Sequence, residues 1–130
     1  MLPTFHDGYL TGLAVSDRAA TFSITRSDGV PWRIDLSGVQ RLKADDFREG
    51  NIISHVEAVT GEEPSRGLLE MLVMGPHQNA AQEYHDKHHA LIDALVQRVM
   101  AGSLSLLSIT PSYGCEVIAL CETVSASEVR

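Results

Sequence analysis

The chain has 130 residues, of which 44% are hydrophobic and 21% are charged. This length and composition predict one folded domain over residues 1–130, with a real hydrophobic core, and exclude wholesale disorder. No apolar run approaches the roughly 18 residues of a membrane span, and the N-terminus lacks the basic and apolar regions of a signal peptide. We therefore expect a cytoplasmic protein.

The formal net charge of −7 comes from ten basic and 17 acidic residues. Residues 1–48 hold six of each sign, whereas residues 49–130 hold four basic and eleven acidic residues, so the whole excess lies in the second part. Such acidity argues against binding to nucleic acid or to an anionic membrane. It permits a basic protein partner attracted by complementary charge, although a role in solubility alone is the favoured interpretation.

The first half of the chain has the alternating apolar pattern of antiparallel strands. Alternation is found in three segments, residues 9–15, 21–25 and 32–36. Asp28 and Gly29, between the second and third segments, match a tight hairpin turn. Residues 45–51 are polar and predict a loop, and a fourth strand is predicted over residues 52–60.

The middle of the chain is predicted to be helical. Residues 66–74 follow Ser65, a good helix cap, and we favour a helix there, with a short buried strand as the alternative. A long helix is predicted over residues 78–101, ended by Gly102. Its apolar stripe contains Ala81, Tyr84, His88, Leu91, Ile92, Leu95 and Val99.

Two more strands are predicted after this helix, over residues 104–110 and 115–124, joined by a turn at residues 111–114. The second is apolar on both faces, which is typical of a central strand. Residues 125–130 are predicted to be a frayed tail. The sequence thus predicts an α+β fold: an antiparallel, curled or barrel-like sheet in the order ββββ-αα-ββ, with one long helix packed on one face.

The two cysteines, Cys115 and Cys121, are predicted to lie about 20 Å apart in one strand. This separation is too large for a disulfide, so both are expected to be free thiols, as in a reducing compartment. Glu116 follows Cys115 and would raise the pKa of its thiol, which disfavours a nucleophilic role.

The segment from residue 85 to residue 89 holds three histidines. His85 and His89 lie one helical turn apart and could together ligate a metal ion. His88 falls within the apolar stripe and is expected to pack. Because a third ligand would have to come from elsewhere, a solvated helix edge is the favoured interpretation, and no cofactor is predicted.

A few further residues are candidates for binding. His6 and Asp7 could form a general base with its orienting carboxylate, but side chains of neighbours in an extended chain point apart, so a local turn is favoured. Trp32 and Tyr113 are candidate interface residues because aromatic side chains dominate binding hot spots, and a core role for Trp32 is equally expected. Ser112 accompanies Tyr113 in the predicted turn.

Three short segments together resemble a group of small bacterial proteins that includes the immunity protein 50 family of toxin antidotes. They are Phe5-His6-Asp7 before the strand meander, Gly50-Asn51-Ile52-Ile53, and the late Pro111-Ser112-Tyr113-Gly114-Cys115. The resemblance implies a β-rich fold with helices and inhibition of a secreted toxin by binding. It supplies no catalytic residues.

The absence of phosphate-binding and nucleophile-elbow motifs favours a binding protein over an enzyme. The leading hypothesis is a non-enzymatic, immunity-type inhibitor of a basic protein toxin. The alternative is a small metal-dependent or histidine-based hydrolase. A third hypothesis is a small-ligand carrier with a cavity between sheet and helix.

Overall fold

The computed structural model describes residues 2–130, which form eight strands and two helices. In chain order they are β1 (Tyr9–Ser16), β2 (Ala19–Thr25), β3 (Pro31–Ser37), β4 (Arg41–Asp45), β5 (Asn51–Val59), α1 (Arg66–Leu72), α2 (Gln82–Met100), β6 (Ser105–Tyr113), β7 (Glu116–Cys121) and β8 (Thr123–Glu128). The predicted α+β class is confirmed.

The strands form one antiparallel sheet in the order β4-β7-β6-β5-β1-β2-β3-β8. The sheet is open, with β4 and β8 as its edges, and is not a closed barrel. It curls, because residues from β8 at one edge and from β6 and β7 near the other pack against the same buried cluster. At the corner where β3 leads into β4 and β7 into β8, backbone hydrogen bonds of 2.9 Å run from Gln40 to Leu120 and from Glu122 to Ser37.

The first hairpins follow the predicted alternation. Phe22, Ile24 and Ile34 are buried on the inner face of the curl. The turn at Gly29 has a φ of 85° and lies next to Asp28, whose side chain accepts a hydrogen bond from Val30 N–H. The predicted hairpin between β2 and β3 is therefore confirmed.

The first strand differs from its predicted face. The alternation suggested Tyr9 and Val15 on the buried side, but both are exposed, whereas Leu10 is buried. An irregularity between Leu10 and Gly12 in the pairing with β2 shifts the alternation. Leu13 thereby reaches the edge of the same inner cluster as Leu10.

The predicted element order was incomplete, since five strands precede the helices of residues 2–130 and three follow them. The unpredicted β4 pairs with β7.

The C-terminal strands also differ from the prediction. The predicted strand over residues 115–124 is divided at Glu122 into β7 and β8. Residues 125–128, predicted to fray, pair with β3 as part of β8. Pro111, predicted to begin a turn, lies within β6 opposite Ile53.

The helices cover the outer face of the sheet. Ser65 Oγ accepts a hydrogen bond from Leu68 N–H and caps α1, which confirms the favoured helix there. The longer α2 begins four residues later than predicted and buries only its C-terminal half, through Ile92, Leu95, Val96 and Val99. These side chains join Ile118 and Leu120 of β7 in a second core. The strand β7 is thus covered on both faces, as predicted. The predicted central position is wrong, because β7 lies next to the edge strand β4, and β8, which holds the end of the predicted strand, is the other edge.

Gly102, with a φ of 85°, follows the end of α2 as predicted. Neither helix within residues 2–130 combines the length and the apolarity needed to cross a membrane.

Candidate functional site

A tight turn before β1 attaches the N-terminal segment to the start of β5. Gly8 N–H donates to Phe5 O at 2.9 Å, and Asp7 adopts a left-handed φ of 62°. Asp7 N–H donates to Ile53 O at 2.9 Å, and Ile53 N–H donates to Gly8 O at 2.8 Å. The ring of Phe5 is buried, so this turn is fixed by both backbone bonds and packing.

The turn brings His6 and Asp7 together. His6 Nδ1 lies 2.8 Å from Ser54 O, and its Nε2 lies 3.4 Å from the Asp7 carboxylate. The favoured local turn is therefore present, but the expectation that the two side chains would not pair is wrong, because the left-handed Asp7 takes the chain out of the extended conformation. Both ring nitrogens face an acceptor within the protein, and the contact with Ser54 O connects the exposed imidazole to β5.

Asn51 joins three chain segments at the same end of the sheet. It is buried, and its Oδ1 accepts hydrogen bonds from Arg48 N–H at 2.8 Å and Cys115 N–H at 3.0 Å. Its Nδ2 donates to Leu10 O at 3.1 Å. A buried amide whose oxygen and nitrogen are both bonded is a rigid connection, so the segments around residues 5–8, 50–53 and 111–115 form one structural unit.

A row of exposed side chains crosses this unit. Tyr9 of β1 and Tyr113 of β6 both pair with Ile52 of β5, so the three share one face of the sheet. Tyr9 is 46% exposed and Tyr113 is 48% exposed. Exposed aromatic groups on either side of one strand make this face a candidate contact surface.

Two loop residues extend this row. The guanidinium of Arg48 lies 5.8 Å from the ring centre of Tyr113, a cation–π contact. Phe47 is exposed beside it, and with Tyr9 it borders a depression of about 460 Å³. We call Tyr9, Phe47, Arg48, Ile52 and Tyr113 the aromatic surface.

Carboxylates surround the aromatic surface. Asp46 accepts a 2.8 Å hydrogen bond from Arg48 Nε, and this contact, followed by that with Tyr113, raises the pKa of the guanidinium. Asp45 and Glu116 stand opposite each other in the β4–β7 ladder, and Glu49 borders the depression. Asp45 and Asp46 form ion pairs with Lys43 and Arg48, so these four carboxylates exceed the nearby cations by two.

The other two binding candidates, Ser112 and Trp32, lie in different parts of the structure. Ser112 is exposed next to Tyr113. Trp32 lies elsewhere, half-buried against the inner cluster, with its ring edge-on to Phe5 at 5.8 Å. Its Nε1 is buried and has no hydrogen-bond partner within the described chain. Trp32 therefore belongs to the core.

The histidines of α2 do not converge on other ligands. His88 is half-buried and lies near Gly75, in agreement with the packing predicted for it. The carboxylate of Asp93, which follows on the side of His85 and His89, forms a 2.7 Å ion pair with Arg66. No group of three potential ligands suited to a metal ion occurs in residues 2–130.

The two cysteines are free, as predicted, and both are buried. Only Cys121 lies within β7, because the strand begins at Glu116, one residue after Cys115. Burial raises the pKa of the Cys115 thiol, and it raises the pKa of Cys121 to about 11. Both thiols are therefore protonated near neutral pH, which is the opposite of what activates a nucleophilic cysteine.

Sequence reasoning found Tyr113 and the His6–Asp7 turn but missed Tyr9, Phe47 and Arg48. Phe47 could have been identified from the sequence, because a large apolar side chain within a run of charged residues contributes nothing to the solubility of a loop. Tyr9 was concealed by the irregularity in β1, which reverses the face that alternation assigns to it.

Comparison with known proteins adds no relative, because no protein-family model, curated protein or solved structure matches this chain.

Proposed function

We propose that this chain is a non-enzymatic binding protein that inhibits a basic protein, as immunity-type proteins inhibit toxins, through its aromatic surface. The observation that carries the proposal is the row formed by the exposed Tyr9 and Tyr113 on either side of the half-buried Ile52, set on paired strands. Tyrosine and arginine are enriched among the residues that dominate protein interfaces. They occur together here, with Arg48 against Tyr113.

The rigidity of the site supports binding by a preformed surface. Asn51 fixes the Arg48 loop and the Tyr113–Cys115 turn to one strand. Side chains held by such a frame lose little conformational freedom on association, which reduces the cost of binding.

The acidic rim supports a basic partner. Asp45, Asp46, Glu49 and Glu116 lie around the aromatic surface, with Arg48 and Lys43 as nearby cations. Complementary charge accelerates encounter and suppresses wrong partners, whereas aromatic anchors supply most of the affinity. An inhibitor built in this way blocks its target by covering a basic surface.

The experiment compares the wild type with a Tyr9→Ala/Tyr113→Ala variant as bait for native-cell extract. We expect a basic protein to be retained by the wild type. A hot-spot residue contributes about 2 kcal/mol or more, so each tyrosine should account for about a thirtyfold loss of binding and the double change for about a thousandfold loss. The matched control is Tyr84→Ala, because Tyr84 is 53% exposed on α2 and remote in sequence from the aromatic surface. It should bind as the wild type does.

The captured protein is then assayed for its own activity with and without the chain. Inhibition that is lost in the double variant supports the proposal. Equal capture by the wild type and the double variant, or capture of an acidic protein that is insensitive to salt, contradicts it.

A further inference from the structure

The C-terminal part of β5, which is the end away from the aromatic surface, pairs with one neighbouring strand and not with two. β1 pairs with β5 only at Tyr9–Ile52 and Leu10–Asn51, so beyond the N-terminal turn β5 pairs with β6 alone. β8, at the sheet edge, pairs with β3 alone. Two strands therefore each retain one unpaired edge.

A cleft of about 700 Å³ lies between these two strands. Its walls include the inner-face side chains Val56 and Ala58 of β5, and Val124 and Ala126 of β8. The same register places their partners Ile109, Leu107, Leu36 and Ile34 in the inner core. The cleft is thus an extension of the core that opens between two strand edges, with apolar side chains from both strands and polar ones, such as Thr60 and Ser105, also in its lining.

The backbone of β8 is oriented toward this opening. Val129 N–H donates to Pro31 O, so in an antiparallel ladder Ser127 and Ser125 also direct their backbone groups toward β3. The intervening residues, Ala126 and Val124, direct their N–H and C=O groups away from β3. These groups are available to another strand.

The two sheet edges differ in their protection. Proteins commonly block edge strands with charged side chains. The edge strand β4, Arg-Leu-Lys-Ala-Asp, follows this pattern, whereas β8, Thr-Val-Ser-Ala-Ser-Glu, carries a charge only at its last residue, Glu128. A weakly protected edge beside a cleft with apolar side chains is suited to accept a strand.

The charge of the cleft selects the kind of strand. Glu57 and Glu62 line it, and no Lys or Arg does. Neither glutamate forms an ion pair within the described residues 2–130. Glu57 is exposed and stands opposite Ser108, on the face of β5 away from Val56 and Ala58. A bound strand with apolar side chains on one face and basic side chains on the other would match the apolar side of the cleft and its glutamates at the same time.

We propose that the cleft between β5 and β8 binds an extended basic segment of a partner protein, which adds to the edge of β8 as a further strand. Main-chain hydrogen bonds to Val124 and Ala126 hold the segment. Its alternate apolar side chains enter the cleft, and its basic side chains face Glu57 and Glu62. This site is independent of the aromatic surface, because six residues of β5, about 20 Å, separate Ile52 from Ala58.

The probe is an acetylated, amidated hexapeptide of alternating lysine and valine, titrated into ¹⁵N-labelled protein. We expect amide shifts confined to residues 54–60 and 123–128, with slower hydrogen exchange at Val124 and Ala126. The corresponding glutamate–valine peptide should bind about tenfold more weakly. The Tyr9→Ala/Tyr113→Ala variant should bind the basic peptide normally, so each proposal can fail without the other.

Two variants test the recognition. Glu57→Gln/Glu62→Gln should weaken binding of the basic peptide about two- to twentyfold without changing the fold. The matched control, Glu70→Gln/Glu83→Gln, removes two exposed carboxylates of the helices and should leave binding unchanged. Ala126→Lys, which places a charge in the cleft, should abolish binding while the β3 amide signals persist.

Three results would overturn the proposal. One is the absence of amide shifts along the cleft at millimolar peptide. Another is equal binding of the basic and acidic peptides. The third is a dimer of the free protein in sedimentation that Ala126→Lys converts to a monomer, since that would assign the β8 edge to a second copy of the chain.

Discussion

Gly114 leaves open the space into which the side-chain amide of Asn51 fits. It has a φ of 89°, and a β-carbon there would collide with Asn51 Oδ1. That oxygen accepts the N–H groups of Arg48 and Cys115. The absence of a side chain at one position thus allows the buried hydrogen bonds that align Tyr113 with the Arg48 loop.

Replacement of Gly114 by alanine should destabilise the protein by about 2–5 kcal/mol. A left-handed backbone costs a non-glycine residue about 1–2 kcal/mol, and the collision with Asn51 adds about 1–3 kcal/mol of overpacking. The free energy of unfolding in urea measures this loss.

Gly29→Ala provides the control, because Gly29 has nearly the same φ of 85° but no atom near its missing β-carbon. It should cost only the backbone part. Equal losses at the two positions would show that the contact between residues 51 and 114 is not the cause.

The sequence predicted elements with local signals well. The hairpin at Gly29, the Ser65 cap and the Gly102 end of α2 each depend on neighbouring residues, and each is present. Strand β4 was missed because it lacks the alternation of apolar and polar residues: Leu42 is its only partly buried residue, and the other four are exposed. It is identifiable through its pairing with β7, which is a long-range feature.

The candidate site was less predictable for the same reason. The role of Asn51 arises from three contacts, two of which come from residues 41 and 64 positions away. The break at Glu122 likewise depends on β7 and β8 pairing with different strands at opposite ends of the sheet order. No local pattern encodes such partners.

The unpartnered indole nitrogen makes Trp32 tolerant of phenylalanine. Trp32→Phe removes a buried N–H that has no acceptor in the described chain. Relief from an unsatisfied donor offsets part of the lost packing, so we expect a cost below about 1.5 kcal/mol.

Trp32→Ala, in contrast, should cost about 3–5 kcal/mol by opening a cavity beside Phe5. Because Trp32 is the single tryptophan, unfolding should be followed by far-ultraviolet circular dichroism and not by fluorescence. Similar losses for both variants would mean that the indole N–H contributes to stability.

The buried thiol of Cys121 predicts a loss of stability in alkali. Its pKa is raised from 9.0 to about 11 by burial, so between these pH values the unfolded chain releases a proton that the folded chain retains. The unfolded state therefore binds fewer protons, and stability falls as pH rises. At pH 10 the loss relative to pH 7 is about 1.4 kcal/mol from this group.

The comparison is between the wild type and Cys121→Ala, by urea unfolding at pH 7 and pH 10. The variant is less stable at both pH values because of its cavity, but its decrease with pH should be smaller by about 1.4 kcal/mol. Parallel decreases in both proteins would assign the pH dependence to other groups, such as Cys115, whose pKa burial also raises.

The N-terminus of α2 offers a stabilising change. Its cap residue Ala81 has a φ of −59° and a ψ of 148° and provides no side-chain hydrogen bond. Ala81→Asp should supply an acceptor for the free N–H groups of the first turn and a negative charge at the positive end of the helix dipole. We expect a gain of about 0.5–2 kcal/mol and a higher melting temperature by circular dichroism.

The control is Ala90→Asp, at an exposed position inside the same helix. It should not stabilise the protein, because aspartate is a poor residue for a helix interior. Equal effects at both positions would attribute any gain to charge alone, whereas a gain only at residue 81 would show that an unmet cap limits the stability of this helix.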